Sequence, residues 1–473
     1  MEEMDKQNVQ PAQQESTQTE QAAAPQPAAA PLSPEQQAYE RQKEERRMKR
    51  LAQKRRRQMQ QRIVLALLAL ILVLAVVLAV RSCTSRDASP QQPAEPAETP
   101  SVSGTDEQPA VTVEPDTVIT LGAVGDIMVY DDQIELAKQA DGSYDFTQSF
   151  AAVSALTMSA DLMVGNLELT FCGEPYSGKP DFRAPEAAGE ALAAAGFDLV
   201  QTANTYSITN GISGLNSTIK YLNTMGIDHV GTYAAADDKA TNEGVFLKNV
   251  NGIKIAFIAY TKGVNNLHLP EGSEYAVDLL YTDYDSEYTK IDRDALEDSL
   301  KAARALNPDL TVAMLHWGSE WDDTITDTQE TITDLLLDGG VDIILGSHPH
   351  VVGRMEQREV TTDDGKTKTC FIAYSLGNFI ASPTAQTSSH TMESVLLELE
   401  ITRKGSTGET TITGVSYTPL YIAQTEGDAG NAIQVLPIRS AIKSGLFPEL
   451  EEKMTDAIAN LRTATASDYD SGR

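Results

Sequence analysis

Apolar positions fall along this chain in three regimes. Up to residue 62 they are scattered, and from Ile63 to Val80 they run for eighteen residues without one polar side chain. From Val118 onward short apolar runs recur, each closed by a polar or glycine-bearing cluster. These runs are VITLGAVGD (118–126), DLMVGNLE (161–168), LVQTANT (199–205), IKIAFIAYT (253–261), LTVAMLHWG (310–318), VDIILGSHPH (341–350) and CFIAYSLGNF (370–379). Continuous apolar runs of this length suit strands covered on both faces. Between them the 3.6-residue spacing predicts helices over Glu186–Ala195, Leu215–Met225, Ala295–Leu306 and Thr328–Asp338, with Gly196 and Gly226 at C-terminal cap positions. Strand and helix alternating in this way predict an α/β or layered αββα domain over residues 117–430. Ser394–Arg403 and Thr410–Tyr417 alternate by twos and predict a late antiparallel pair. Residues 431–473 read as a helical extension packed on the outside, ending in a frayed tail.

The run at 63–80 is long enough to cross a bilayer as a single helix. Eleven lysines and arginines between residues 41 and 62 precede it, which predicts a cytoplasmic N-terminus. A cleaved signal peptide is the rival reading. The long tail before the run, and the lack of a clear small-x-small site after Val80, favour an uncleaved single-pass anchor. Residues 1–40, rich in Gln, Ala, Pro and Glu, read as a disordered cytoplasmic tail, and 81–116 as an extracytoplasmic linker. Everything after Arg81 is then expected outside the cell membrane.

Charge divides at the same boundary. Residues 1–62 carry a net +3 and the remainder −34, within a total of −31. An acidic exterior domain excludes nucleic acid as a partner and attracts divalent cations. The three cysteines are too few for a disulfide framework. Cys172 and Cys370 are expected either as a bridge or as two unpaired thiols.

Ligands of open α/β sheets bind beyond the carboxyl ends of the strands. Those ends carry Asp126, Asn166 with Glu168, Asn204, His316 with Glu320, His348 with His350, and Asn378. Pro349 removes the preceding residue from the α region, so the turn carrying His348 and His350 is expected to be extended, with both imidazoles on one side. Carboxylate oxygen and imidazole nitrogen suit Zn, Mn or Fe, and no thiolate is offered. One or two divalent ions are therefore expected, on Asp126, Glu168, Asn204, His316, His348 and His350. A pair of ions about 3.5–4 Å apart needs as many donors as these. Asn166 and Asn378 are expected as structural support. Glu320 is a candidate catalytic acid or base, and Glu168 with Glu320 could form an acid–base pair without metal.

The ordered set GDIM (125–128), GNLE (165–168), HWGSE (316–320), GSHPHV (346–351) and SLGNF (375–379) resembles the CapA family of capsule and poly-γ-glutamate synthesis proteins, related to calcineurin-like metallophosphoesterases. The resemblance covers roughly residues 118–385. It implies a layered αββα core of metallophosphoesterase type, a metal centre, and a part in making or exporting an anionic cell-surface polymer, the polymer or its precursor and membrane synthase subunits being the partners. Where such proteins show an ANNH-like segment, this chain reads ANTYS, so Tyr206 stands in place of a proton-donating histidine. Two functions follow as expectations. One is metal-dependent hydrolysis or transfer with Tyr206 as the proton donor; the other is a non-catalytic subunit that binds polymer or partner.

Overall fold

A computed structural model describes residues 114–362, 365–384, 388–425 and 431–473. The expected tail (1–40), basic segment (41–62), membrane helix (63–80) and all but the last three residues of the linker (81–116) lie outside the described residues. Among the described residues no helix is long and apolar enough to cross a membrane.

Fourteen strands are described, in chain order. They are β1 (Thr117–Ile127), β2 (Leu162–Leu167), β3 (Leu199–Gln201), β4 (Asp228–Val230), β5 (Phe246–Val250), β6 (Ile253–Thr261) and β7 (Leu310–His316). There follow β8 (Ile343–Ser347), β9 (Met355–Thr361), β10 (Thr367–Ala373), β11 (Asn378–Ile380), β12 (Glu393–Arg403), β13 (Thr410–Thr425) and β14 (Ala432–Pro437). They form two mixed sheets, one ordered β14-β13-β12-β1-β2-β3-β4 with β11 also pairing β1, the other β5-β6-β7-β8-β10-β9. The seven apolar runs all contribute strands. Their parallel pairings, β1–β2–β3 and β6–β7–β8–β10, lie in the interior of each sheet, and β4 pairs parallel to β3 at the edge of the first.

The two-residue period of a strand decides what each face covers. In β6, Ile253, Ile255, Phe257 and Ala259 join a large cluster with β1 and β2, whereas Ala256, Ile258 and Tyr260 join a second cluster. That second cluster holds Leu296 and Leu300 of helix Arg293–Ala305, and Ile332 and Leu336 of helix Asp327–Asp338. The large cluster also takes Ala188, Leu192 and Leu222 from helices Glu186–Ala194 and Gly211–Met225. Strands buried on both faces are thus what the unbroken apolar runs encode. Helix starts follow local chemistry as well. Thr326 caps Asp327–Asp338 by accepting from the Gln329 amide at 3.2 Å, and the Gln329 side chain accepts in return from the Thr326 amide at 3.1 Å.

The C-terminal stretch differs from the expected outer extension. Ala432–Pro437 is a strand paired with β13, and Met454, Ala457 and Leu461 of helix Glu451–Thr465 are buried in the large cluster. The last residues are tied down too: the Ser471 amide donates to the Tyr417 carbonyl at 2.9 Å, and the Tyr417 amide donates to the Tyr469 carbonyl at 2.8 Å. Asp470, almost fully buried, pairs with Arg439 and, at 3.0 Å, with Arg462.

Candidate metal centre

Each side chain expected in the site enters from the C-terminal end of a parallel strand or the loop that follows. At the end of β1 the register shifts between Ala123 and Asp126, and β11 comes in alongside. This approach requires Gly125, since a Cβ there would lie 1.8 Å from the Gly377 carbonyl oxygen. The Asp126 amide then donates to that same carbonyl at 2.9 Å, which fixes the carboxylate between Asn166 of β2 and Asn378 of β11.

Around Asp126 the contacts are short. Asn166 Nδ2 donates to its Oδ1 at 2.7 Å, and the His348 amide donates to its Oδ2 at 3.2 Å. His350 Nδ1 lies 3.0 Å from Oδ2 and 3.0 Å from Asn378 Oδ1. A second focus is Glu168, whose Oε1 is 3.4 Å from His316 Nε2. His316 is held by Ser347 Oγ at 3.0 Å from Nδ1 and by Thr205 Oγ1 at 2.8 Å from Nε2. The rings of His316 and His348 lie 4.6 Å apart by centroid.

The turn carrying the two histidines is not extended, as Pro349 led us to expect. His348 has φ +95° and His350 φ +59°. Positive φ is costly for residues with a Cβ, and here it is imposed by the hydrogen bond from the His348 amide to Asp126 and the seating of both rings. Nor is the turn on the surface, because both histidines are buried.

Burial governs the protonation of the cluster. Glu168, completely buried, is pushed well above the ordinary carboxyl range by loss of solvent and by the Asp126 charge, with His350 opposing. His316 and His348 are held well below the ordinary imidazole range, first by burial and then by the charge of His350 and Lys262. His350 goes the other way. Burial lowers it, yet its hydrogen bond to Asp126 and the nearby carboxylate charges outweigh that and raise it to about 9.

Two sets of ligand atoms converge, Glu168 with His348 and His350, and Asp126 with Glu168 and His316, each within 4.8 Å. Glu168 is common to both, and its Oε1 is buried with no hydrogen-bond partner. A buried carboxyl oxygen without a hydrogen-bond partner, facing two imidazoles kept neutral, fits a divalent cation by donor type, and the cation's charge would offset the burial that otherwise keeps the proton on Glu168.

The remaining expected residues are placed as follows. Asn204 donates to Asn166 Oδ1 at 3.1 Å and to the Leu167 carbonyl at 2.7 Å, and its own oxygen accepts from the Tyr206 amide at 3.2 Å. In this arrangement Asn204 holds Asn166, which holds Asp126. Asn378 supports His350 and donates to the Thr391 carbonyl at 3.1 Å. Tyr206 is buried against Phe182, with ring centroids 4.3 Å apart. Loss of solvent and the charges of Glu168 and Glu320 raise its phenol above the ordinary value. Glu320 is half-buried; its charge reaches Glu168, His350 and Tyr206. Of the two tryptophans, Trp317 is core, stacked on Tyr374, whereas Trp321 is exposed and donates its amide to the Pro349 carbonyl at 2.8 Å. Cys172 and Cys370 are both free thiols.

Three residues escaped the sequence reading. Thr205 bridges His316 and His348, with Oγ1 3.4 Å from His348 Nδ1, and Ser347 orients His316. Lys262 follows β6 directly and donates its amide to the His316 carbonyl at 2.8 Å. The signal for each was its place at a strand end; none has a side chain conspicuous among metal ligands.

Known proteins resemble this chain over the same region. The profile of a family described as "Bacterial capsule synthesis protein PGA_cap" matches residues 120–383. A capsule biosynthesis protein CapA of Bacillus anthracis is 27% identical over 297 residues, 61% of this chain and 65% of that one, so the match spans just under two thirds of that relative. A PGA biosynthesis protein CapA of Bacillus subtilis (strain 168) is 26% identical over 323 residues, 66% of this chain and 75% of that one. Among solved structures, a hypothetical protein of Thermus thermophilus overlaps at TM-score 0.35 and 13% identity, covering 64% of this chain and 98% of its own. A structure described as a novel phosphatase of Mycoplasma pneumoniae overlaps at TM-score 0.34 and 14% identity, covering 64% of this chain and 94% of its own.

Proposed function

The chain belongs to the bacterial capsule synthesis family PGA_cap, and from that premise we propose a membrane-anchored protein acting outside the cytoplasm in the synthesis or export of an anionic surface polymer such as poly-γ-glutamate. Its folded part, of metallophosphoesterase type, acts by metal-dependent hydrolysis or transfer on the polymer or its precursor. Residues 63–80 are the anchor, the N-terminus is cytoplasmic, and membrane synthase subunits are partners.

The observation that carries this reading is Glu168, a fully buried carboxylate shared by two converging ligand sets and left with an orphaned oxygen. Asp126, Glu168, His316, His348 and His350 would hold one or two ions of Mn, Zn or Fe, with Asn204 as a further amide donor. A bound ion of this kind supplies Lewis-acid polarisation and water activated near neutral pH. The chain's own residues do the rest. Asn166 fixes Asp126, Asn378 fixes His350, and Thr205 with Ser347 sets the His316 ring. The proton that Asp126 helps hold on His350 and a cation would compete for the same carboxylate, so metal binding here is expected to depend on pH.

Tyr206 favours a second reading. A proton donor must approach the working pH to be effective. This phenol is buried on Phe182 and raised further from neutrality by Glu168 and Glu320. A chain that binds metal and polymer without turnover accommodates that. The test is a panel of phosphomonoester, phosphodiester and γ-glutamyl amide substrates offered to the metal-loaded full chain. Metal-dependent turnover of any class, lost in Asp126→Asn, is expected; metal bound with no turnover on any of them would leave the non-catalytic subunit.

A further inference from the structure

Lys262 is a cation in an unusual setting. Thr261 pairs with His316 across the parallel β6–β7 ladder, so Lys262 leaves β6 level with the end of β7. Its amide donates to the His316 carbonyl at 2.8 Å. The ammonium donates to the Gly318 carbonyl at 2.7 Å and lies 4.7 Å from the centre of the Tyr288 ring. One carbonyl and one π-face thus fix its head, leaving donor capacity unused.

The contrast with three other sheltered lysines points to a role; a fourth, Lys254, is also held only by a carbonyl, that of Asn307 at 3.2 Å, but it sits at the N-terminal end of β6, away from the site. Lys248 pairs with Asp228, Lys239 with Asp278 at 2.8 Å and Lys368 with Asp342 at 2.8 Å. Half-buried Lys262 has no carboxylate within ion-pair distance among the described residues, in a folded part rich in acid. The Glu320 charge acts on it from further away, and its own charge reaches His316 and His348. A partly desolvated cation without a counter-ion is unfavourable unless a ligand supplies one. Beside a cluster that would hold divalent metal, a second uncompensated positive charge is harder still to accommodate without an anion between them.

We propose that Lys262 is a positioning residue that binds an oxyanion of the substrate, carboxylate or phosphate, at the mouth of the acid–imidazole cluster. This rests on the functional reading above and adds to it the residue that orients the substrate. Tyr288 and the Gly318 carbonyl hold the ammonium in place, so little side-chain entropy is lost on binding.

The experiment uses the full chain in detergent, loaded with Mn²⁺, in wild-type, Lys262→Met and Lys262→Arg forms. Each is titrated calorimetrically with γ-linked triglutamate and with inorganic phosphate. Lys262→Met is expected to weaken one or both anions by about tenfold or more, the size of a charge-assisted hydrogen bond, while Lys262→Arg stays close to wild type. The probe that responds identifies the oxyanion. A merely structural lysine would lower the melting temperature of Lys262→Met without changing either affinity, and that result overturns the assignment, as does a wild-type chain that binds neither probe. Metal content and turnover on the same samples report separately. Unchanged anion affinity with metal and turnover intact defeats only the role of Lys262; Lys262-dependent binding without turnover counts against hydrolysis alone.

Discussion

Glu168 combines complete burial with an oxygen that no donor satisfies, and that combination sets opposite demands on stability and function. Its folded pKa lies well above the ordinary 4.5. A carboxyl shifted in that direction favours the fold at acid pH, and its contribution is lost as pH rises from the unfolded value through the raised folded one. Glu168→Gln should therefore leave the metal-free chain as stable as wild type, or more stable by about 1–3 kcal/mol at neutral pH, with the gap closing below pH 4.5. The same variant should lose the rise in melting temperature that divalent metal gives the wild type. Thermal melts with and without chelator across pH check both halves; a large loss of stability in the metal-free variant at pH 7 would mean the carboxylate is satisfied in a way the geometry does not provide. At Tyr206 the expectation is kinetic. Tyr206→His should raise hydrolysis of esters with poor leaving groups by up to about 10²-fold, a general acid's usual contribution, while nitrophenyl esters change little. Equal changes for both substrates would point to altered metal affinity instead of proton donation.

At the scale of elements, the site depends on two strands brought closer than side chains allow. Gly125→Ala would drive a Cβ into the Gly377 carbonyl, so β11 must move away from β1 and take Asn378 from His350. A loss of about 3 kcal/mol or more is expected from overpacking against backbone, read by denaturant unfolding. Fully retained stability would show that the β1–β11 approach is adjustable. The chain's end offers a second test. Burial raises the Asp470 carboxyl, but its hydrogen bond to Arg439, the Gly472 amide and the two arginine charges prevail and lower it. A depressed pKa gives stability that is present above the unfolded value and lost as pH falls through the folded one. Asp470→Asn should cost about 1–3 kcal/mol at pH 7 and progressively less below pH 3.8; a pH-independent difference would assign the effect to packing. What the sequence made legible at this scale was what local chemistry determines. The apolar runs gave the interior strands, and Gly226 gave a C-cap, observed at φ +74°. Edge strands such as β4 and β9, and the strand at Ala432–Pro437, were not legible. Their pairing is decided by partners far along the chain, β14 being held by β13 and not by any periodicity of its own.

For the whole molecule, the strand-end rule gathered the right neighbourhood from distant motifs: Asp126 and Glu168 from one sheet meet His316, His348 and His350 from the other. It could not give the positive φ of the two histidines, since that arises from a contact between residues 222 positions apart. Nor could it single out Thr205 or Lys262, whose importance lies in what they touch. The division of charge between the basic block and the acidic remainder leads to a prediction about topology. Protease added to intact spheroplasts should remove the folded part and leave the N-terminal tail; a protected folded part would place it in the cytoplasm. The most direct measurement is metal content. Full-length wild type, purified without chelator and exchanged into Mn²⁺, Zn²⁺ or Fe²⁺, should retain one or two ions per chain by elemental analysis, and Glu168→Gln, equally folded by circular dichroism, should retain fewer. A folded wild type that binds none of the three at saturating concentration would contradict the account at its centre.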